Sequence, residues 1–280
     1  WLKVSNNFDY THDKYTQPLG ASSVGGGLVW QGINNEGHPS APIFNPDGTL
    51  TKSGAYSLGG FITGNNWIKR TTKTLKNTTT FNANFFDNKL RLTSDFSFRT
   101  KDFIEDKKNT AIPYSEYEGV ITYLGTPETD DKMSEKVQQT SYISTNAYAE
   151  FENIFGGKHY IKLLGGYNYE QQDYRATKSE RNGLLMPDVE DINFAMGETM
   201  SITSDASRWR YAGAFFRLNY SYDNRYLFEV NGRYDGSSKF PNNSQWGFFP
   251  SASAAWRLSE ERFWKVDPKF LSNVKLRMSY

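Results

Sequence analysis

The stretch KTLKNTTTFNANFFDNKLRLTSDFSFR, residues 73–99, decides how the rest of the chain is read. Leu75, Thr79, Phe81, Ala83 and Phe85 fall on one face of an extended chain, and Lys76, Thr78, Thr80, Asn82 and Asn84 on the other. Four residues, Phe86-Asp87-Asn88-Lys89, interrupt the alternation. It resumes with Leu90, Leu92, Phe96 and Phe98 against Arg91, Thr93, Asp95 and Arg99. A period of two on either side of an Asp-Asn turn is the pattern of a β-hairpin with one greasy face.

Working outward, the unit recurs. Ile143, Ala147, Ala149 and Phe151 lead through Gly156-Gly157 to Ile161, Leu163, Gly165, Tyr167 and Tyr169. Ala212, Ala214, Phe216, Leu218, Tyr220 and Tyr222 lead through Asp223-Asn224-Arg225 to Tyr226, Phe228, Val230 and Tyr234. Leu2, Val4, Phe8 and Tyr10 form an opening strand; Ala252 to Leu258 and Val274 to Tyr280 form two closing ones. Nine strands are predicted.

Between the tight turns lie long polar connections, at about residues 11–70, 101–139, 171–207 and 236–246. In an antiparallel meander successive connections fall at opposite ends, so short turns collect at one end and long loops at the other. That asymmetry belongs to outer-membrane barrels. Leu75–Phe85 spans eleven residues, enough for a tilted spanning strand of about 9–11. Tyrosines flanking the Asp223-Asn224 turn suit an interfacial aromatic girdle. A soluble β-sandwich also alternates, but does not sort its loops by length in this way. The connection Ser259–Asn273 is expected to hold a helical turn.

Composition agrees. The 280 residues hold 20 Phe, 18 Tyr and 7 Trp, 16% aromatic in a chain only 37% hydrophobic. Mean hydropathy is −0.69, and no stretch approaches the ~18 apolar residues of a spanning helix. The net charge of +1 argues against a nucleic-acid partner held by bulk electrostatics. The lack of cysteine excludes disulfides, thiolate metal sites and thiol nucleophiles. Trp1-Leu2-Lys3-Val4 lacks the charged-then-apolar pattern of a signal peptide.

A more specific signal follows Tyr211. Arg233-Tyr234-Asp235-Gly236-Ser237-Ser238-Lys239-Phe240, then Trp246-Gly247-Phe248-Phe249-Pro250-Ser251, then Trp256-Arg257-Leu258-Ser259-Glu260-Glu261, resembles a signature of the SusC/RagA family of TonB-dependent outer-membrane transporters. About thirty positions take part, far more than a lone short motif. Read by themselves, Asp235-Gly236-Ser237-Ser238 is turn chemistry. Pro250, with no N–H to donate, is expected at a strand start or bulge. Arg233 and Arg257 fall on the polar face. The signature reads as rim and loop architecture, not as a substrate site.

The resemblance implies an all-β fold: residues 1–280 as an incomplete portion of an antiparallel transmembrane barrel, with the signal peptide, TonB box, plug and C-terminal strands outside it. It also implies active import of oligosaccharides or peptides with TonB-supplied energy, no enzymatic activity and no cofactor. The partners implied are a SusD-like surface lipoprotein, the TonB complex and outer-membrane lipid. A non-transporting structural or adhesive barrel is the alternative.

No catalytic or metal constellation emerges. His12, His38 and His159 are scattered. Asn45-Pro46-Asp47-Gly48 lacks the later bidentate Glu of a calcium loop and reads as a turn. Gly25-Gly26-Gly27 does not lead from a strand into a helix, so it is no phosphate cradle. Asp130-Asp131 and Glu190-Asp191 read as solvated loop charge. Trp30, Trp67, Tyr114 and Tyr117 lie on expected external loops, where their rings would suit sugar faces or packing.

Overall fold

The computed structural model describes residues 1–19, 34, 40–186, 188–267 and 269–280. The strands are β1 (Leu2–Pro18), β2 (Trp67–Phe85), β3 (Leu90–Asn109), β4 (Ile112–Tyr117), β5 (Val120–Leu124), β6 (Lys132–Phe155), β7 (His159–Asn182), β8 (Met200–Tyr222), β9 (Tyr226–Ser237), β10 (Trp246–Arg257) and β11 (Lys275–Ser279). Nine of them form one open antiparallel sheet in the order β1-β2-β3-β6-β7-β8-β9-β10-β11, while β4 and β5 make a separate ribbon. Each predicted strand is present, and neighbours in the chain are neighbours in the sheet.

The tight turns follow from local chemistry. Asp87, Asn88, Asp223 and Asn224 have φ of 53°, 67°, 48° and 56°, and Gly156 and Gly157 have 54° and 69°. These left-handed conformations match the twist of a hairpin, and Asp, Asn and Gly are the residues that tolerate them.

The strands run much further than the alternation indicates, which corrects the expected loop lengths. β2 pairs with β3 from Phe85↔Leu90 to Trp67↔Lys108, and β6 pairs with β7 over 24 residues each. The reason is that backbone ladders need only paired N–H and C=O groups. Beyond Leu75, Thr74, Thr72 and Thr71 keep a β-branched strand former at most positions without supplying a greasy face. The loop-end connections therefore shrink to residues 19–66, 110–131, 183–199 and 238–245. The turn-end connection after β10 carries a helical turn at Leu258–Glu260.

Register joins the strand faces into two continuous surfaces. Val4, Phe81, Ser94, Ala147, Tyr167, Ala214, Tyr234 and Phe248 lie side by side in one row. This row belongs to an apolar band that includes Leu92, Leu163, Phe216, Phe228 and Leu276, all exposed in the isolated chain. Ten residue steps from Leu75 to Phe85, at ~3.3 Å each and tilted by ~40°, give a height of about 25 Å. A bilayer is the solvent that such a belt fits. Its lower edge carries stacked aromatics, with Tyr226 and Trp256 at 6.3 Å and 11° and Tyr222 and Tyr226 at 6.4 Å.

The compact hydrophobic clusters sit at the loop end. Leu50, Ala55, Ile112, Tyr114 and Leu124 form one, and Trp67, Met133, Leu184 and Ala195 the other. Asn66, 1% exposed, ties the two approaches together. Its Oδ1 accepts from the Thr110 N–H and hydroxyl, and its Nδ2 donates to the Thr110 carbonyl.

Candidate functional site

The polar face of the sheet is built in the same rows. Near the turn end Glu150 accepts from Arg91 and lies 2.8 Å from Lys162, while Glu152 lies 3.4 Å and 3.6 Å from the same two cations. Two rows higher, Asn146 donates to Asp95 at 2.8 Å. Higher again, the Tyr142 hydroxyl donates to Glu170 at 2.9 Å, and Arg99 lies 5.3 Å from the Tyr142 ring centre. A wall of paired charges and amides is a hydrated surface, unsuited to lipid.

The signature residues form two nodes. In the first, Arg233 donates to Asp235 at 2.8 Å, to Asn168 at 2.9 Å and to the Tyr211 hydroxyl at 2.9 Å. Register places Gly213 between Asn168 and Asp235. A Cβ there would meet Asp235 Oδ1 at 2.2 Å and Asn168 Oδ1 at 2.7 Å, so the notch at Gly213 admits the node. On the opposite face Gly236 lies beneath Trp246, whose ring a Cβ would meet at 2.6 Å. Trp246 stacks on Tyr234 at 5.1 Å. Aromatic cover over strand glycines restores the packing a bare Gly lacks.

The second node gathers at Glu261. Its carboxylate accepts from the Tyr226 hydroxyl at 2.7 Å, Trp256 Nε1 at 2.9 Å and Arg225 at 3.4 Å. It pins the β10–β11 connection to the turn end, and Glu260 and Ser259 supply the helical turn that aims it. At the loop end, Ser238 exchanges backbone and side-chain bonds with Arg210, Ser237 Oγ accepts from the Lys239 N–H, and Phe240 is 59% exposed. Gly247 and Ser251 lie within β10 on the polar face. Pro250 corrects an expectation: it sits mid-strand opposite Gly232. Ala252 directs its N–H to Tyr280, so Pro250, two residues before it, faces the β11 side of the strand. Arg257 follows Trp256 on the polar face, and its Nε has no partner among the described residues.

The stacking candidates separate. Trp67 and Tyr114 are each 7% exposed inside the two clusters, so both are packing residues rather than ligand platforms. Lys69 covers the Trp67 ring at 4.1 Å. Tyr117, at 74%, is the exposed one. Trp30 lies outside the described residues, as do His38 and Gly25-Gly26-Gly27. His159 donates to or accepts from the Tyr220 hydroxyl at 2.9 Å and packs on Tyr222 at 5.0 Å, a girdle role. Among the described residues no group of His, Asp and Glu could hold a metal.

Loop acids are structural. Asp47 Oδ1 accepts from the Thr49 N–H and hydroxyl, which lowers its pKa. Asp131 accepts from the Ala111 N–H at 2.5 Å, yet burial, with Asp130 and Glu128 nearby, raises its pKa. Asp130 Oδ2 caps the Thr126 N–H, and Glu190 pairs with Lys69. Asn168 carried no signal in the sequence, and Tyr211 and Gly213 no role beyond lying in the stretch that resembles the family; the register that sets Gly213 between Asn168 and Asp235 is the feature that would have found the node.

Comparison with known proteins agrees with this architecture. The family described as TonB dependent receptor-like, beta-barrel, matches residues 2–280. TonB-dependent receptor P26 of Formosa agariphila is 31% identical over 268 residues, 91% of this chain and 25% of that relative. TonB-dependent receptor SusC of Bacteroides thetaiotaomicron is 36% identical over 145 residues, 51% of this chain and 14% of that relative. The chain thus spans about a quarter or less of the length of these relatives. The RagAB peptide importer in its open-open state superposes over 100% of this chain and 30% of that one, with a TM-score of 0.71 at 16% identity, a likeness of fold. With its two-faced meander and a family match along essentially its whole length, the chain belongs to the TonB-dependent receptor β-barrel family.

Proposed function

We propose that this chain forms barrel wall of an outer-membrane active transporter that imports oligosaccharides or peptides with energy supplied through TonB. The observation that carries the reading is the partition of one sheet into an apolar belt about 25 Å tall and a charged, amide-rich opposite face. In a closed barrel that polar face lines the passage. The turn end is then periplasmic and the loop end external. Likeness to SusC and to the RagAB importer supports transport over a purely structural or adhesive role.

The loop end supports a partner as well. Residues 40–63 and the β4–β5 ribbon pack as one cap. Ile112 contacts Gly59 so closely that a Cβ there would meet it at 2.5 Å. Asn45 donates to the Ser115 carbonyl, and Lys52 lies 3.2 Å from Glu116. Loops built to this degree are usually functional, and a SusD-like surface lipoprotein is the partner proposed for them, with Tyr117 among the exposed contacts.

The test uses the full-length gene. Nutrient uptake should depend on both the protein and TonB, and gentle extraction should recover the lipoprotein near one-to-one. Uptake that persists without TonB, or a barrel that only adheres, would sink the proposal.

A further inference from the structure

Above the membrane belt, three consecutive polar-face rows of β3, β6 and β7 enclose a cavity of about 430 Å³ lined by Glu105, Lys107, Asn109, Lys132, Ser134, Lys178 and Glu180. The register accounts for all seven. Glu105 and Lys178 flank Lys136 in one row, Lys107, Ser134 and Glu180 make the next, and Asn109 and Lys132 the last. Two-residue steps separate the rows, so the site extends about 13 Å along the strands.

Its charge is surplus positive. Three lysines face two glutamates, and Glu105 is already engaged by Arg70 at 2.6 Å. Glu180 lies 2.8 Å from Lys178 and 3.6 Å from Lys132. Lys107 has no ion pair among the described residues. Asn109 is 3% exposed, and its Oδ1 is buried with no hydrogen-bond partner among the described residues.

We propose that this cavity is a subsite for an acidic sugar residue, a carboxylated or sulfated unit of the imported glycan, and that it selects anionic over neutral oligosaccharides at the mouth of the passage. The inference rests on the transport reading. The anionic group lies against Lys107 and Lys178 through charge-assisted bonds, which are the stronger kind. Every lining side chain is polar or charged, so an apolar peptide side chain gains no burial there, whereas a polyhydroxylated ligand satisfies donors and acceptors together.

The test is calorimetric titration of the full-length receptor, extracted with its native partners, against four probes: an oligoglucuronate, a sulfated oligogalactan, a neutral maltooligosaccharide and an oligoglutamate. One or both acidic glycans should bind, more weakly as salt rises through the range where the Debye length shortens. Which one binds distinguishes carboxylate from sulfate. Lys107→Gln and Lys178→Gln should each weaken that binding roughly tenfold, the factor that ~1.4 kcal/mol carries. Heat-modifiable mobility checks that each variant is folded, and the salt series on the unmodified receptor stands if one is not. Neutral glycan bound as tightly, oligoglutamate bound as tightly, or affinity indifferent to the lysines overturns the subsite. TonB-dependent uptake of a neutral nutrient that ignores the lysine changes removes the subsite and leaves the transport reading; absence of any TonB-dependent uptake removes both.

Discussion

Phe81 and Asn82 are adjacent in β2 and point to opposite faces, so substituting each by arginine asks the two-faced sheet a direct question. Phe81 is 45% exposed on the apolar belt. It lies four residues above Phe85, about 13 Å along the strand and about 10 Å in height at a ~40° tilt, close to the midplane of a ~25 Å belt. Phe81→Arg should therefore cost about 2–4 kcal/mol, the penalty for a cation on the lipid face at that depth. Asn82 lies among polar neighbours, where its Oδ1 accepts from the Thr93 hydroxyl at 3.1 Å. Asn82→Arg removes that bond at a cost of about 0.5–1.5 kcal/mol and leaves the cation hydrated. The difference, about 2 kcal/mol, is roughly thirtyfold in the folding equilibrium. Urea titration of the full-length protein refolded into vesicles, read as the heat-modifiable fraction, measures both variants. Equal losses, or a larger loss at Asn82, would refute the assignment of faces.

Gly213→Ala drives a Cβ into the Arg233–Asp235–Asn168 node and should cost about 1–3 kcal/mol as an overpacked site, read in the same vesicle assay; a neutral result would mean the notch has no structural role. Glu261→Ala strips the acceptor from Tyr226, Trp256 and Arg225, so limited proteolysis should cut the segment between β10 and β11 faster than in the parent protein. Asp131 has its carboxyl pKa raised chiefly by burial, so the folded cap holds that proton more tightly than the unfolded chain. The contribution of Asp131 to stability is then full at low pH and is lost as pH rises through the raised value. Asp131→Asn keeps an acceptor for the Ala111 N–H and removes the charge, so the cap should resist protease better than the parent at pH 7, with the gain vanishing near pH 3. Tyr114→Ala should loosen the same cap, since Tyr114 is buried in its cluster, whereas Tyr117→Ala should leave its protease resistance unchanged.

What was legible in the sequence was what alternation and turn chemistry write locally. Leu75 to Phe98 shows its hairpin because apolar and polar residues alternate there and Asp87-Asn88 supplies the left-handed turn. The continuation of β2 through Thr71–Trp67 was not legible, because a polar strand above a membrane carries no periodic hydrophobic signal and its pairing is a backbone matter. Trp67 and Tyr114 read as external-loop aromatics open to stacking or packing for the same reason: their neighbours in space, Met133 with Leu184 and Ile112 with Leu124, are brought in by register and by the cap. The signature could be recognised as a string, but the purpose of Gly213 beside Asp235 appears only when β8 and β9 are aligned. Pro250 shows the converse, since the local rule about ladders points to a strand start or bulge, whereas register sets it mid-strand opposite Gly232.

The sidedness of the sheet's two ends tests the central claim most directly. Asn88 and Asn224 are exposed at tight turns, and Glu118 is exposed at the tip of the β4–β5 ribbon; Asn109, at 3%, is too buried to report. Single cysteines placed by Asn88→Cys, Asn224→Cys and Glu118→Cys in the full-length protein, which this stretch supplies with no background thiol, are treated with a membrane-impermeant maleimide on intact cells. Glu118→Cys should label at once, and the two turn variants only after the outer membrane is permeabilised. Labelling of Asn88→Cys or Asn224→Cys on intact cells, with Glu118→Cys silent, would contradict the barrel described.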